Sequence, residues 1–430
     1  MATTAAERRV GAALLGAAAA AVLAAAFVGS CAPPAPAGAP TPMGAPASGE
    51  PILQVGLIVG APAVTLGGDA ALLVTGPDGT RLTQVPAGDT WRASATTDGI
   101  SLATGSGVAT GNVPQAVVTP AEPGAPVRVN GRAYRGALTL FRDRTGLTVV
   151  NQVPIEAYLL GVVSAEMGRR AASEREALRA QAVVSRTYAL RNVGRWRAQG
   201  FDLYATVADQ VYAGIGAETP EGREAVESTR GLFVAWNGAP IDAFFFSTCG
   251  GRTAEGTEIF RGAARPYLRS VSDVGPDGIA YCSISPRFHW REEWSGDALR
   301  AVLRRTLPAA VGAPPPRLDE LQDVRVESRS ASGRVAELGI VLPGEELRVD
   351  GPLVRQVLHT AAGEPLRSNA FALTPTLAGG RLTHLVAEGG GNGHGVGFCQ
   401  WGAVGRARAG QTFDRILAAY YPDTELSRLY

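Results

Sequence analysis

The chain has 430 residues, 46% of them hydrophobic and 18% charged, with a formal net charge of +1. This length allows one large domain or two to three ordinary ones, and the apolar share is enough to bury cores. The near balance of charge argues against nucleic acid as a main partner, because phosphate binding needs a clustered basic surface. A neutral or mildly polar ligand such as a glycan fits better. The 54 glycines and 29 prolines indicate many turns and a large β or irregular content.

Taken in chain order, residues 1–30 read as an export signal. Arg8 and Arg9 form a short basic start, residues 10–28 are an uncharged Ala/Leu/Val run, and small residues lead to Cys31. These small residues fit a lipobox, in which cleavage before Cys31 leaves it as the lipid-bearing first residue. An ordinary signal peptide with a coincidental Cys, or a single membrane anchor, are the competing readings. Residues 31–50 are rich in Pro and Ala and form an extended tether. Ala32 rather than Asp follows Cys31, which by analogy indicates an outer-membrane anchor facing the periplasm. Export also fixes the redox context for Cys249, Cys282 and Cys399, where two thiols are free to pair. Cys249 with Cys282 is the favoured pair. A metal site of the three cysteines with His394 competes with it, although no close CxxC spacing supports that reading.

Residues 51–126 are short alternating runs broken by Gly, Asp and Pro, which predict a β-rich accessory region. Similar runs continue to about residue 149. The spacing then predicts helices over 153–167, with Pro154 near the start, over 174–195, and over 219–231, with Gly231 as a cap. Residues 232–251 read as a β-hairpin turned by Asn237-Gly238. The tail after residue 396 reads as helical at both ends. The expected fold class is α+β, with a mixed β-sheet core and packed helices around a glycan-binding cleft.

Glu166 stands out on the first helix. At about 100° per residue, Ile155, Leu159, Val162 and Val163 lie within about 60° of it, in one apolar stripe. Glu156 lies about 80° to one side, where it reaches solvent more easily. A carboxylate on a buried face is expensive unless paired or protonated, so its pKa is expected to rise, as suits a general acid. The competing reading is a Glu that snorkels outward at the helix end or pairs with Arg169.

Five segments occur in order: VPIEAYLLGVVSAEM, AQAVVSRTYAL, DQVYAG, FFFSTCGGRT and GHGVGFCQWGA. Together they resemble the SpoIID/LytB family of cell-wall proteins over roughly residues 127–430, the expected catalytic domain. The resemblance implies a lytic transglycosylase of peptidoglycan or an enhancer of a cell-wall amidase. It assigns the family's catalytic Glu to Glu166 and its cleft arginine to Arg186. The implied reaction is non-hydrolytic: Glu166 protonates the oxygen leaving between N-acetylmuramic acid and N-acetylglucosamine, and the C6 hydroxyl then closes a 1,6-anhydro ring. One carboxylate serves here, unlike the spaced pair of ordinary glycosidases.

Arg186 is suited to bind glycan oxygens or steer Glu166, or else forms a structural ion pair. Tyr188 and Tyr212 offer faces for sugars, or are core aromatics. Gln210 and Gln400 offer amide groups of the kind acetamides require. Ser247, Thr248 and the following Gly250-Gly251 form a polar turn, either approaching ligand or simply ending a strand. His394 lies in a Gly-rich loop where its ring nitrogens are suited to hold Glu166 or a sugar hydroxyl. That loop lacks the Lys-Ser/Thr of a phosphate cradle, and no GxSxG elbow is present.

Some family members bind zinc through His and Cys before QVY. Residues 201–210 here contain neither, so no metal and no cofactor is expected at that place. Cys249 and Cys399 fall where Ser is frequent, and the stretch after SAEM lacks the usual Pro. The expected partners are peptidoglycan glycan strands, a cell-wall amidase under the second reading, and a membrane through the lipid anchor.

Overall fold

The computed structural model describes residues 6–9, 49–107, 110–260, 262, 264–311 and 317–430. The hydrophobic signal run at 10–28, the lipidation candidate Cys31 and the tether as far as residue 48 lie outside the described residues. The fold is a mixed α+β arrangement, as its composition suggests. Among the described residues, no helix is long and apolar enough to cross a membrane. The chain divides into two compact units. The first holds residues 41–243, 412–414 and 424–430; the second holds 1–40, 244–411 and 415–423.

In the first unit, a seven-stranded sheet has Ile52–Ala61, Leu147–Pro154 and Ala137–Arg142 side by side near its centre. Strand Leu147–Pro154 is buried along nearly all its length, as a strand covered on both faces must be. It pairs antiparallel with Ile52–Ala61, and Ala137–Arg142 pairs with Gln115–Pro120. One continuous sheet therefore crosses residue 126, where the sequence suggested an accessory boundary. A five-stranded sheet accompanies it, with Val127–Val129, Ala63–Gly68 and Thr90–Ala95 at its centre.

Strand Leu147–Pro154 runs directly into helix α1 (Ile155–Met167), with Pro154 as the cap residue. Helix α2 (Arg175–Arg191) and helix α3 (Pro220–Ser228) pack against α1. Thr219 caps α3, its hydroxyl accepting the Gly222 N–H at 3.0 Å, and Pro220 occupies the first turn where its missing donor costs nothing. Two helices end earlier than periodicity suggested. α2 stops at Arg191, and α3 stops at Ser228. Gly231 (φ 70°) is instead the turn into strand Leu232–Trp236. The hairpin is turned at Asn237-Gly238, both left-handed (φ 51° and 74°), as a type I′ turn requires.

The second unit contains a sheet of Asp323–Arg329, Val335–Leu342 and Glu345–Asp350, with Ala6–Arg9 parallel beside the last. A second sheet orders His289–Ser295, Arg381–Gly390 and Phe371–Ala378. Their shared core includes Trp290, Trp294, Leu338, Ile340 and Leu385, closed by helix α5 (Gly296–Val311) and helix α6 (Gly351–Val357). The short helix α4 is Gly256–Ile259. A parallel pair of two-residue strands, Phe245–Phe246 and Phe398–Cys399, leads into helix α7 (Gln400–Arg408), and helix α8 (Phe413–Tyr420) follows.

Candidate functional site

Glu166 occupies the last turn of α1 and is half-buried. The helix ends just beyond it at Gly168, whose φ of 68° lets its N–H return to the Ser164 carbonyl at 2.9 Å. Glu166 therefore stands where the helix leaves the core, and the burial expected from its apolar stripe is only partial. Its Oε1 accepts the N–H of Val211 at 2.9 Å.

Val211 belongs to a strap, residues 209–212, in which each residue has its own anchor. Buried Asp209 accepts from the Tyr188 hydroxyl (2.9 Å), Trp196 Nε1 (2.7 Å) and the Tyr204 N–H (2.8 Å), and it pairs with Arg195 at 3.2 Å. Gln210 Oε1 accepts from the Tyr158 hydroxyl at 3.2 Å. Burial, with the charges of Asp209 and Glu166 adding to it, pushes the Tyr158 phenol well above its usual value, so it remains a donor. The Tyr212 hydroxyl donates to Asn151 Oδ1 at 3.0 Å, and Asn151 Nδ2 donates to the Arg135 and Ala137 carbonyls at 2.9 Å each. The strap thus ties the Glu166 carboxylate to both the sheet and α2.

Arg186 is not beside Glu166. It is fully buried and grips Glu156 with two parallel bonds, Nε to Oε1 at 2.7 Å and Nη2 to Oε2 at 2.6 Å. Its Nη1 donates to the Leu232 carbonyl at 2.9 Å. Glu156 also accepts from the Gly231 N–H at 3.2 Å and from the Tyr430 hydroxyl. Burial pushes the Glu156 carboxyl up, but Arg186 with these donors outweighs it and holds it below its ordinary 4.5. The expectation that Glu156 faces solvent is corrected here, since it is 5% exposed. The reason is that α1 is covered by α2 and α3 as well as by strands, so no side of its first turns is open. The Arg186 guanidinium is consumed by a structural pair rather than offered to a cleft.

The neighbouring candidates divide similarly. Tyr188 and Tyr212 are buried, the first holding Asp209 and the second packed on Tyr158 with ring centroids 4.9 Å apart. Neither presents a face for a sugar. Gly161 makes room for the Tyr212 ring, which a Cβ there would approach to 2.7 Å. Gln210 is also buried, and its Nε2 has no hydrogen-bond partner among the described residues. Asp209, Glu156, Tyr158 and Asn151 were missed as structural partners. The signal for Asp209 was its place at the head of DQVYAG.

Ser247, Thr248, His394 and Gln400 belong to the second unit. Half-buried Ser247 contacts Thr248 through hydroxyls at 3.2 Å, and Thr248 contacts Ser285 at 2.8 Å. Gln400 is buried as the first residue of α7. His394 is buried with both ring nitrogens engaged: Nδ1 accepts the Val396 N–H at 3.1 Å, which makes Nε2 the donor to the Phe245 carbonyl at 2.9 Å. Burial pushes its pKa down to about 3. The ring is a neutral brace of the Gly-rich loop, with no nitrogen left for Glu166 or a sugar.

Cys249 and Cys282, the expected disulfide pair, stand with Cys399 as three free, buried thiols. Cys249 and Cys282 sulfurs lie 3.4 Å apart, and Cys399 and Asp273 join them with all four candidate ligand atoms within 4.8 Å of one another. His394 is not in this group. The fold gathers the thiols from the turn that follows strand Phe245–Phe246, a 3-10 turn (Tyr281–Ile284) and the α7 cap, so no short spacing announced them.

Residues 143–236 match the model of a family described as "Stage II sporulation protein", and residues 281–397 match one described as "Domain of unknown function (DUF8618)". Stage II sporulation protein D of Bacillus subtilis is 29% identical over 307 residues, covering 66% of this chain and 77% of the relative. An uncharacterized protein of Brachyspira hyodysenteriae is 28% identical over 301 residues, covering 69% of this chain and 73% of its own. An amidase enhancer of Bacillus subtilis is 27% identical over 307 residues, covering 63% of this chain and 40% of its own. Glu166, Arg186 and the 209–212 strap all fall within the first matched segment. The resemblance carried by the ordered motifs therefore holds, with the SpoIID family model matching residues 143–236.

Proposed function

We propose that this chain is an exported, lipid-anchored peptidoglycan lytic transglycosylase with Glu166 as its acid/base. Glu166 protonates the glycosidic oxygen leaving between N-acetylmuramic acid and N-acetylglucosamine as the bond from that oxygen to muramyl C1 breaks, and the carboxylate so formed takes the proton of the muramyl C6 hydroxyl as its oxygen bonds to C1 and closes the 1,6-anhydro ring. The observation that carries this reading is the contrast on one helix. Glu156 is buried against Arg186, whereas Glu166 is half-exposed at the helix end with one oxygen oriented by the Val211 amide. A single oriented carboxylate is sufficient because the attacking hydroxyl belongs to the substrate.

The relative named as an amidase enhancer favours a second reading, in which the chain grips glycan and activates a separate amidase. Co-sedimentation with purified peptidoglycan, scored beside release of soluble fragments, separates the two. Under the enzyme reading, wild type binds and releases fragments, while Glu166→Gln binds equally but releases about 100- to 10,000-fold less, the usual size of a general acid/base contribution. Binding by both proteins with no fragments from either supports the activator reading instead.

A further inference from the structure

We propose that Cys249, Cys282, Cys399 and Asp273 form a closed, four-coordinate structural site for a thiophilic divalent cation of the zinc type. This site lies in the second unit and does not depend on the role of Glu166.

The four candidate ligand atoms converge within 4.8 Å of one another, and all four residues are buried. A tetrahedral zinc with bonds of about 2.3 Å to sulfur separates its sulfur ligands by about 3.8 Å. The 3.4 Å between the Cys249 and Cys282 sulfurs, and the 3.2 Å between the Cys249 sulfur and Asp273 Oδ2, lie close to that spacing. The surrounding groups are arranged as a second layer around such an ion. Asp273 Oδ1 is held by the Tyr420 hydroxyl at 2.7 Å and Arg406 Nε at 3.0 Å, which leaves Oδ2 turned toward the thiols. Such outer partners orient metal ligands and are needed for affinity.

Backbone donors also face two of the sulfurs. Cys399 Sγ accepts the N–H groups of Cys249 and Gly402, each at 3.2 Å. Gly250 and Gly251 adopt left-handed φ values of 76° and 97°, and their N–H groups point at the Cys282 sulfur. The glycine pair after the aromatic strand thereby acquires a role that a plain turn does not require. Gly402 is needed for a different reason, since a Cβ there would collide with Asp273 Oδ2 and the Tyr420 hydroxyl.

Charge balance agrees. Three thiolates and one carboxylate around a divalent cation leave a net charge of about −2. Two buried guanidiniums face the cluster: Arg406 on Asp273, and Arg334, which donates to the Cys249 and Arg252 carbonyls at 3.1 and 2.9 Å. A Cys249–Cys282 disulfide would leave both arginines and the Asp273 carboxylate around an uncharged bond. Four protein ligands leave no open position, so the ion staples the chain rather than meeting substrate. Each thiol that enters the site releases its proton to solvent, so binding weakens at low pH.

The test uses the full chain purified without oxidant. Metal analysis should find one zinc per chain. Exchange with Co(II) should produce the near-ultraviolet thiolate-to-cobalt charge-transfer band and tetrahedral visible bands. Tyr420→Phe, which keeps the ring but removes one bond to Asp273, should bind Co(II) about 10- to 100-fold more weakly. Cys399→Ser should lose the three-thiolate spectrum. If that variant fails to fold, the wild-type spectrum decides alone. A chain that takes up no Co(II) under reducing conditions overturns the proposal, as does cobalt bound without thiolate bands. A Cys249–Cys282 disulfide in peptides from the exported protein overturns it equally.

Discussion

Arg186 pairs with Glu156, not with Glu166. The two side chains meet through bonds of 2.6 and 2.7 Å in a site closed to solvent, and the Tyr430 hydroxyl and Gly231 N–H complete the carboxylate's shell. The guanidinium is thereby committed to the start of α1, ten residues before Glu166.

Removing either partner of the pair strands a buried charge. Glu156→Ala or Arg186→Ala should lower stability by about 3–5 kcal/mol, read from the midpoint of urea unfolding. The pH dependence has a defined sign. The folded carboxyl titrates below its ordinary 4.5, so the unfolded chain takes up the proton first as pH falls. The pair's contribution is complete above about pH 5 and is lost as pH drops through the depressed folded value. Glu156→Gln should lack that acid-side loss.

His394 supplies a loss at higher pH. Its folded pKa of about 3 lies below the ordinary 6.5 because burial disfavours the charged ring. Between these values the unfolded chain binds a proton that the folded chain refuses. Stability is therefore full above about pH 6.5 and declines as pH falls. In unfolding midpoints measured from pH 7 to pH 5, the slope of wild type should be steeper than that of His394→Gln. A pH profile of fragment release should show no step attributable to this ring.

The strap is predicted to work as a unit. Asp209→Ala strands the Tyr188 hydroxyl, Trp196 Nε1 and the Tyr204 N–H, and leaves Arg195 without its partner carboxylate. The expected cost is about 3 kcal/mol or more, seen in urea midpoints. Fragment release should fall along with it, because Val211 loses its fixed position against Glu166.

Gly161 tests the packing of Tyr212 on α1. Helix propensity alone favours Ala over Gly by about 1 kcal/mol. The new Cβ would lie 2.7–2.9 Å from the Tyr212 ring and 3.1 Å from the Gly214 carbonyl, and overpacking of this kind costs about 1–3 kcal/mol. Gly161→Ala should therefore lower the thermal midpoint; a rise would show that the ring moves aside freely.

Much of this was legible in the sequence. The helix over 155–167, the Asn237-Gly238 turn and the family motifs all announce themselves through periodicity or turn chemistry. The depth of Glu156 did not. Helical phase identifies one face only when the other face is wet, and α1 is buried nearly all round. Glu156 at the edge of the stripe is consequently deep, while Glu166 at its centre lies at the exit of the helix. The thiol cluster was hidden for another reason. Its thiols are 33 and 117 residues apart along the chain, from Cys249 to Cys282 and from there to Cys399, and only the second unit's fold brings them together. His394 looked reactive in its glycine-rich loop because a sequence cannot reveal that backbone groups occupy both ring nitrogens.

The most direct measurement is mass spectrometry of purified, peptide-free glycan strands after digestion by wild type and by Glu166→Gln. Wild type should yield 1,6-anhydromuramyl ends and the variant at least about 100-fold fewer, with unfolding midpoints unchanged. Equal yields of anhydro ends from both proteins, or reducing ends alone from wild type, would contradict the role proposed for Glu166.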